Sequence, residues 1–288
     1  MSNGQQTGRA ANTPLPLRAL VRIYVALFGR RAFYRWNLGL ARLALYGMGF
    51  GSPTGSRISV AEERLLKNLV ASDAPCVLDV GAYVGEYAAR VRRFCPGAKI
   101  WAFEPNPATF TQLQKAARRD GFTAVNVGLS DRSGLTQLYD YASLAGNSGS
   151  VHATLYPGVI DGIYHREPAD VRVEVTTIDA FMESERVTHL RLVKIDAEGH
   201  ELAILRGAKR AIASGKVDVV QFEFNEMNVI SRVFFRDFYE VLPGFTFYRM
   251  VTDGLVHIGR YRPRTHEIFS LQNIVAIRDG VNFGPGLI

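Results

Sequence analysis

Cysteine and long apolar runs are both scarce in this chain of 288 residues. Its two cysteines, Cys76 and Cys95, cannot form a disulfide framework, and such usage is typical of a reducing compartment. No N-terminal apolar stretch reaches about 18 residues before an arginine or a glycine cluster interrupts it, so we expect no transmembrane helix. No small-residue cleavage site follows a compact apolar core, which argues against a signal peptide. We therefore expect a cytoplasmic protein.

Acidic residues and lysine are absent from the first 61 residues, which contain eight arginines. The whole chain has 34 basic and 27 acidic residues, a net charge of +7. Without the eight arginines, positions 62–288 contain 26 basic and 27 acidic residues. The positive charge thus belongs to one terminal segment and not to the main domain, so we expect no nucleic-acid partner.

Residues 15–48 are apolar and aromatic, with arginines at spacings of four and seven that place several on one helical face. This pattern predicts one or two amphipathic helices. They form either a lid or dimer element that packs its apolar face on the main domain, which we prefer, or a basic surface that contacts the inner face of the membrane. We divide the chain into this arm with its Gly/Ser linker (1–60) and a main domain (61–288). The sequence leaves the oligomeric state open.

The dinucleotide fingerprint G-x-G-x-x-G is also incomplete, because Asp79 and Val84 stand where glycines would be needed, and this argues against a nicotinamide-dependent oxidoreductase. What is present is a short buried strand at 76–80, then Gly81 and Gly85, then a helical pattern. This order is how an α/β fold opens a cleft at the carboxyl ends of its strands. Gly81 would let a ligand approach the backbone, and Asp79 would hold an ammonium group or fix the turn.

A second strand at 99–103 ends at Glu104, about 20 residues beyond the glycine turn, where nucleoside-binding folds place a carboxylate that binds both ribose hydroxyls. A third strand at 123–129 ends at Ser130 and Asp131. Either Asp131 or a neighbouring backbone group contacts the adenine, or residues 131–134 are only a turn. Additional strands at 135–141 and 171–177 flank a polar loop, 146–150, of the kind that carries specificity. Further strands are predicted at 190–196, 217–223, 245–250, 255–261 and 272–277, with an antiparallel ending, and helices at 61–71, 108–119, 201–213 and 234–242.

The block Asp196-Ala-Glu-Gly-His-Glu201 resembles the FkbM family of S-adenosylmethionine-dependent methyltransferases. Further matching pieces are 77–88, 103–107, 128–131 and 176–180, so that the resemblance covers about residues 75–226. It implies a Rossmann-like class I methyltransferase fold, with a mostly parallel seven-stranded sheet and helices on both faces, beside the N-terminal arm. It also implies S-adenosylmethionine as cofactor and O-methylation of a hydroxyl on a sugar, glycan or polyhydroxylated secondary metabolite. One departure is Tyr83, where such turns often carry asparagine.

The cofactor-binding residues that we predict lie at the ends of the first four core strands. They are Asp79, Gly81, Ala82, Tyr83, Gly85, Glu86, Tyr87, Glu104, Pro105, Asn106, Ser130, Asp131 and Asp196.

An aliphatic hydroxyl loses its proton as it attacks a methyl group, so a base within hydrogen-bond reach is expected. Asp196, Glu198 and His200 are the candidates, and the ordinary near-neutral pKa of histidine suits His200. Lys194 shares a strand face with Asp196; it either pairs with Asp196 or Glu223, which we prefer, or lowers the pKa of the hydroxyl. Three ligands from a single turn are too few for a metal site, so we predict none.

Two other functions stay open. An RNA ribose 2′-O-methyltransferase would use Lys194 with the carboxylates, although the main domain lacks a basic track. A non-catalytic nucleoside-binding module would keep Gly81 and Glu104 but need neither Asp196 nor His200.

Overall fold

The computed structural model describes residues 15–51, 60–69, 74–141, 150 and 152–281. The chain divides into two compact units after Met48. The first contains helices α1 (Leu15–Phe28) and α2 (Tyr34–Gly47), joined by a short 3-10 turn at Arg31–Phe33. The arm thus forms two helices, one of the two arrangements that its sequence pattern predicts. None of the helices in the described ranges is long and apolar enough to span a bilayer.

The second unit alternates strands and helices. Its strands are β1 (Cys76–Val80), β2 (Lys99–Phe103), β3 (Thr123–Val125), β4 (Gly128–Leu129), β5 (Gly134–Tyr141), β6 (Pro168–Thr176), β7 (Leu190–Ile195), β8 (Val217–Phe224), β9 (Phe245–Met250), β10 (Leu255–His257) and β11 (Gln272–Arg278). Its helices are α3 (Val60–Leu69), α4 (Glu86–Phe94), α5 (Pro107–Asp120), α6 (Pro157–Gly162), α7 (Ile178–Ser184), α8 (Glu201–Arg206), α9 (Lys209–Ala213), α10 (Met227–Ser231), α11 (Phe235–Val241) and α12 (Pro263–His266).

The main sheet has the order β10-β9-β11-β8-β7-β1-β2-β3. Strands β1, β2, β3, β7 and β8 are parallel, and β9, β10 and β11 pair antiparallel at one end. This confirms the predicted α/β fold with a mostly parallel sheet and an antiparallel ending. Within the described residues the sheet has eight strands where the resemblance implies seven, because β10, which lies within the predicted strand at 255–261, pairs with β9 as a further edge strand.

Apolar side chains cover both faces of the sheet. Leu78, Val193 and Phe222 pack on one face against residues of α7, α8, α9 and α11. Val77 and Leu192 lie on the other face, against residues of α3, α4 and α5. Strands buried on both faces need apolar side chains at successive positions, which explains why the central strands are continuous apolar runs in the sequence.

The predicted third strand, 123–129, is two strands in different sheets. Strand β3 pairs with β2 in the main sheet, while β4 pairs with β6 in a separate three-stranded sheet of order β4-β6-β5. Between them, the Asn126 amide nitrogen donates to the backbone oxygens of Glu104 (2.8 Å) and Pro105 (3.2 Å), so the chain leaves the main sheet there. Residues 146–149 of the predicted specificity loop, 52–56 of the linker and 70–71 of the first predicted helix lie outside the described residues.

The strand order reverses between β1 and β7: the chain runs from β1 to β2 and β3, then returns to β7 on the other side of β1. The carboxyl ends of these strands therefore border a common crevice, which is where open α/β sheets bind ligands. The predicted helix over 201–213 is two helices, α8 and α9. Between them Gly207 approaches the backbone so closely that a Cβ would lie 2.0 Å from the Ser130 carbonyl oxygen.

Candidate active site

A cleft lies at the carboxyl ends of β1, β2 and β7. Apolar side chains such as Leu129, Leu138 and Ile204 form part of its wall. The predicted site residues that line it are Gly81, Tyr83, Glu104, Pro105, Asp196, Glu198 and His200.

Gly81 has a positive φ of 74°, and a Cβ at this position would lie 1.8 Å from the Asp196 carbonyl oxygen. A side chain at this position is thus excluded by the neighbouring strand end. Gly85, at the start of α4, has a φ of 89°, and a Cβ there would lie 2.8 Å from side-chain atoms of Leu113 and Phe122. The four-residue glycine spacing therefore reflects two separate packing requirements.

Glu104 connects the first two turns of the cleft. One of its oxygens accepts a hydrogen bond from the Tyr83 backbone nitrogen at 3.0 Å, and the other accepts one from Asn106 at 2.9 Å. The side chain is buried, and burial raises its pKa to about 7. Each carboxylate oxygen can accept a second hydrogen bond. Glu104 therefore still has acceptor capacity for two hydroxyl groups in the cleft.

Other predicted cofactor residues support these turns from outside the cleft. Ala82 is buried, and its backbone nitrogen donates to Phe103 at 2.9 Å. Asn106 is the N-cap of α5: its side-chain oxygen accepts from the Ala108 nitrogen at 3.1 Å, and its amide nitrogen donates to Asp140 at 3.0 Å. These contacts position the turn that carries Glu104 and Pro105.

Asp79, Glu86 and Tyr87 do not line the cleft. Asp79 is fully buried below the glycine turn, where it accepts from the Ala88 nitrogen at 3.1 Å in the first turn of α4. The Tyr87 hydroxyl donates to Gln221 at 2.8 Å in the core, and Glu86 is exposed. Of the two roles that the sequence allows for Asp79, these contacts correspond to fixing the turn and the helix that follows it.

Lys194 lies between two carboxylates. Its Nζ is 3.1 Å from Asp196 Oδ2 and 3.8 Å from Asp79 Oδ1. Burial alone would lower the pKa of Lys194, but the charges of Asp196 and Asp79 outweigh burial and raise it. Pairing with Asp196 therefore occurs as the sequence suggested, and Asp79 is the second ion-pair partner. Glu223 lies nearby, and burial together with the charge of Asp196 raises its pKa well above the ordinary value.

His200 forms hydrogen bonds at both ring nitrogens. Nε2 lies 2.9 Å from the Ser130 hydroxyl and Nδ1 lies 3.1 Å from the Tyr156 hydroxyl. Burial lowers its pKa to about 4. The near-neutral pKa that made His200 attractive as a base is therefore not present in the folded protein. Asp131 is exposed, and its carboxylate accepts from Ser130 at 3.3 Å.

A second histidine, which the sequence did not single out, lies against the turn after β7. His152 Nδ1 is 3.3 Å from Glu198 Oε1 and 2.9 Å from the Tyr164 hydroxyl. The hydrogen bond to Glu198 raises the pKa of His152. Thr154, two residues further along the chain, donates to the Glu198 carbonyl oxygen at 2.9 Å. This pair of His152 and Glu198 joins residues 46 positions apart.

The turn after β7 is held in a strained conformation by Glu201. Glu198, which lines the cleft, has a positive φ of 50°, a conformation that costs a non-glycine residue about 1–2 kcal/mol. Glu201 is buried, and one of its oxygens accepts from the backbone nitrogens of Ala197 (3.0 Å) and Gly199 (3.2 Å). Burial raises the pKa of Glu201 to about 7. The last acidic residue of the Asp-x-Glu-Gly-x-Glu block thus positions the first two.

Comparison with known proteins identifies the family of this chain. A model of the methyltransferase FkbM domain matches residues 79–247, more than half of the chain. Hexuronic acid methyltransferase AglP of Haloferax volcanii is 31% identical over 146 residues, which cover 50% of this chain and 54% of AglP. Methyltransferase sdnD of Sordaria araneosa is 30% identical over 46% of this chain and 60% of sdnD.

A third relative, 2-O-methyltransferase NoeI of Sinorhizobium fredii, is 23% identical over 65% of this chain and 77% of NoeI. The chain therefore spans little more than half of AglP and sdnD and about three quarters of NoeI. The domain matched by the family model, residues 79–247, includes the turns after β1, β2 and β7. The chain belongs to the FkbM methyltransferase family.

Proposed function

We propose that this protein is an S-adenosylmethionine-dependent O-methyltransferase that acts on a hydroxyl group of a sugar, a glycan or a similar polyhydroxylated metabolite. The observation that carries the proposal is that one cleft brings Gly81, Tyr83 and Glu104 together with Asp196 and Glu198 of the adjacent strand end. We assign the first three to a nucleoside-binding half of the cleft and the last two to an acidic half that faces the acceptor. The names of AglP and NoeI, which specify a hexuronic acid and a 2-O position, support a sugar hydroxyl as acceptor.

The residues of the nucleoside half fit S-adenosylmethionine. Glu104 keeps acceptor capacity for the two ribose hydroxyls, and Gly81 lines the same cleft. When bound, S-adenosylmethionine supplies a methyl group that is already activated on a sulfonium. The protein then has to bind the acceptor, align its oxygen and remove its proton.

Asp196 is the residue that we assign to holding the acceptor hydroxyl. It lines the cleft at the end of β7, and Lys194 fixes its carboxylate from below at 3.1 Å. This ion pair leaves the second carboxylate oxygen available to accept from the hydroxyl. Lys194 and Glu223 complete the charged surroundings of Asp196, and neither lines the cleft.

His152 is the residue that we assign to accepting the proton. His152 itself is not among the described residues that line the cleft, but Ser150, Ala153 and Thr154 of the same segment are. Its Nδ1 contacts Glu198 and the Tyr164 hydroxyl, so Nε2 is the atom that we assign to taking the proton from the acceptor hydroxyl. As the acceptor oxygen bonds to the methyl carbon, the bond from that carbon to the sulfonium sulfur breaks and leaves a neutral thioether. Because the pKa of His152 is raised and that of His200 is lowered, His152 is the stronger base of the two. Glu198 stabilises the imidazolium that forms, as the carboxylate partner of a catalytic histidine does.

Transfer of a radioactive methyl group from S-adenosylmethionine to a panel of hexosides, hexuronides, lipid-linked glycans and RNA tests the proposal. Asp196→Asn should lower turnover on the sugar acceptor about a hundredfold and leave cofactor affinity nearly unchanged. Binding of NAD without binding of S-adenosylmethionine would refute the assignment, and binding without transfer to any acceptor would favour a nucleoside-binding module.

The pH profile tests the role of His152. His152→Gln should reduce turnover and remove the acid limb of the profile, while Glu198→Gln should move that limb to lower pH, because the hydrogen bond to Glu198 is what raises the pKa. His189→Gln is the matched control, since His189 also pairs with a carboxylate, Asp218 at 3.0 Å, but directly precedes β7, at the opposite end of that strand from the cleft. An unchanged profile in His152→Gln would remove this residue from the mechanism.

A further inference from the structure

Exposed apolar side chains are concentrated in the N-terminal arm, residues 15–48. Of the 21 large apolar side chains that are exposed in the described part of the chain, 15 lie between Leu17 and Met48. They include Leu20 and Leu43, which are 62% and 68% exposed. The other six are distributed between positions 60 and 256. Soluble proteins rarely expose so large an apolar surface without a partner.

Contacts within the arm define how its two helices are joined. The Tyr24 hydroxyl donates to Asn37, and the Asn37 amide nitrogen donates to the Phe28 carbonyl oxygen at 3.0 Å. The Phe28 ring packs against Phe33 at 5.3 Å and Trp36 at 5.4 Å. These contacts form a small aromatic cluster at the corner between α1 and α2. They leave the other apolar side chains of both helices exposed.

All the charged side chains of the arm are positive. Residues 15–48 contain six arginines and no aspartate, glutamate or lysine. Arg35 and Arg42 are seven residues apart and so share one face of α2, and Arg18 and Arg22 are four residues apart on α1. Each helix therefore combines an arginine face with apolar and aromatic side chains around it, the composition of helices that lie in a membrane interface.

We propose that α1 and α2 bind the surface of a membrane that contains anionic phospholipids. Each helix has 14 residues and is about 21 Å long, too short for the roughly 30 Å hydrocarbon core, so both would lie in the interface. There the apolar side chains enter the acyl boundary, Tyr and Trp rings lie at headgroup level, and the arginines extend to the phosphates. A second copy of the arm fits less well, because it would bring six more arginines and no carboxylate to pair with them.

Tryptophan fluorescence provides a direct test with the full chain. The protein has two tryptophans, Trp36 in the arm and Trp101 in β2, so Trp101→Phe leaves Trp36 as the single reporter. Trp36 is 49% exposed. On addition of vesicles of phosphatidylcholine with phosphatidylglycerol, its emission should shift to shorter wavelength and be quenched by brominated acyl chains. Pure phosphatidylcholine should give a much smaller shift, and high salt should reverse binding because exposed charges are screened.

Arginine substitutions separate charge from apolar burial. In the Trp101→Phe background, replacing Arg22, Arg35 and Arg42 by glutamine should weaken vesicle binding about a hundredfold, at roughly fivefold per arginine. Arg264→Gln, on an exposed position of α12, is the matched control and should leave binding unchanged. Leu20→Asp should also abolish binding, whereas Leu135→Asp, on an exposed position of β5, should not.

Circular dichroism should show unchanged helix content in each variant, so that lost binding reports the surface and not unfolding. Three results would overturn the proposal: no binding to anionic vesicles at low salt, equal binding of the triple arginine variant, or equal binding to neutral vesicles. Sedimentation of a concentration-dependent dimer, together with no vesicle binding, would assign the apolar surface to a second copy instead.

Discussion

Glu104 should make ligand binding depend on pH near neutrality. Burial raises its pKa to about 7, so the ionised fraction rises from about a tenth at pH 6 to about nine tenths at pH 8. The ionised carboxylate alone can accept from both ribose hydroxyls while it also accepts from the backbone nitrogens of Tyr83 and Asn106. Binding of a ribose should therefore release a proton, and the affinity should rise about tenfold between these pH values.

Calorimetry with methylthioadenosine measures this effect without the methionine amine of the full cofactor. Measurements in two buffers with different heats of ionisation give the number of protons released. Glu104→Gln keeps the size of the side chain, but its amide nitrogen would face the backbone nitrogen of either Tyr83 or Asn106. Binding at pH 8 should weaken by about 1.5–3 kcal/mol, and the pH dependence should disappear.

Glu86→Gln is the matched control, because Glu86 is exposed and does not line the cleft. It should keep both the affinity and the pH dependence. An affinity that is flat from pH 6 to pH 8, or a pH dependence that persists in Glu104→Gln, would refute the reasoning. The same pKa shift changes the stability of the ligand-free protein in the opposite direction. Because the folded-state pKa of Glu104 lies above the ordinary 4.5, the protonated group stabilises the folded state at low pH, and this contribution is lost as the pH rises through about 7.

Two further predictions concern stability. Gly81→Ala should lower the free energy of unfolding by about 2–5 kcal/mol, because its Cβ would lie 1.8 Å from the Asp196 carbonyl oxygen. Gly215 has a similar φ of 73°, but a Cβ there would have no described atom within 4 Å. Gly215→Ala should therefore lose only about 1–2 kcal/mol in the same denaturant titration. His200 has a folded-state pKa of about 4, below the ordinary 6.5, so its contribution to stability is present above pH 6.5 and is lost as the pH falls towards 4. The free energy of unfolding should fall by as much as about 3 kcal/mol over this range. The His200→Gln variant should not show this fall in an acid titration.

The central strands and the first two turns of the cleft could be predicted from the sequence for a physical reason. Strands buried on both faces give continuous apolar runs, and a turn that admits no Cβ, as at Gly81, requires glycine whatever surrounds it. The position of Glu104 at the end of β2 follows from the same local pattern. The division of the third strand was missed, because it depends on the hydrogen bonds of Asn126 to a distant turn.

The histidines could not be assigned from the sequence, because their chemistry depends on contacts between distant segments. His200 lies in the turn of the Asp-x-Glu-Gly-x-Glu block, yet both of its ring nitrogens are hydrogen-bonded to the hydroxyls of Ser130 and Tyr156. His152 has no motif around it, and only the fold brings it to Glu198. His152 is identified by its contact with the Glu198 carboxylate, and the spacing of residues along the chain does not predict that contact.

The charge of the cleft bears on the choice between a sugar and an RNA acceptor. The described residues that line the cleft include three acidic side chains, Glu104, Asp196 and Glu198, and Lys194 lies below them in ion pairs with Asp79 and Asp196. Burial raises the pKa of Glu104 to about 7 and also raises that of Glu198, so the negative charge of the cleft increases as the pH rises through neutrality. A surface of this sign attracts the positive sulfonium of S-adenosylmethionine and repels the phosphates that would flank a ribose hydroxyl in RNA. The six arginines of residues 15–48 belong to the other unit of the chain. An uncharged polyol presents only hydroxyl groups to these carboxylates, and each hydroxyl can donate to them. The electrostatics of the cleft thus favour transfer to a sugar over transfer to RNA.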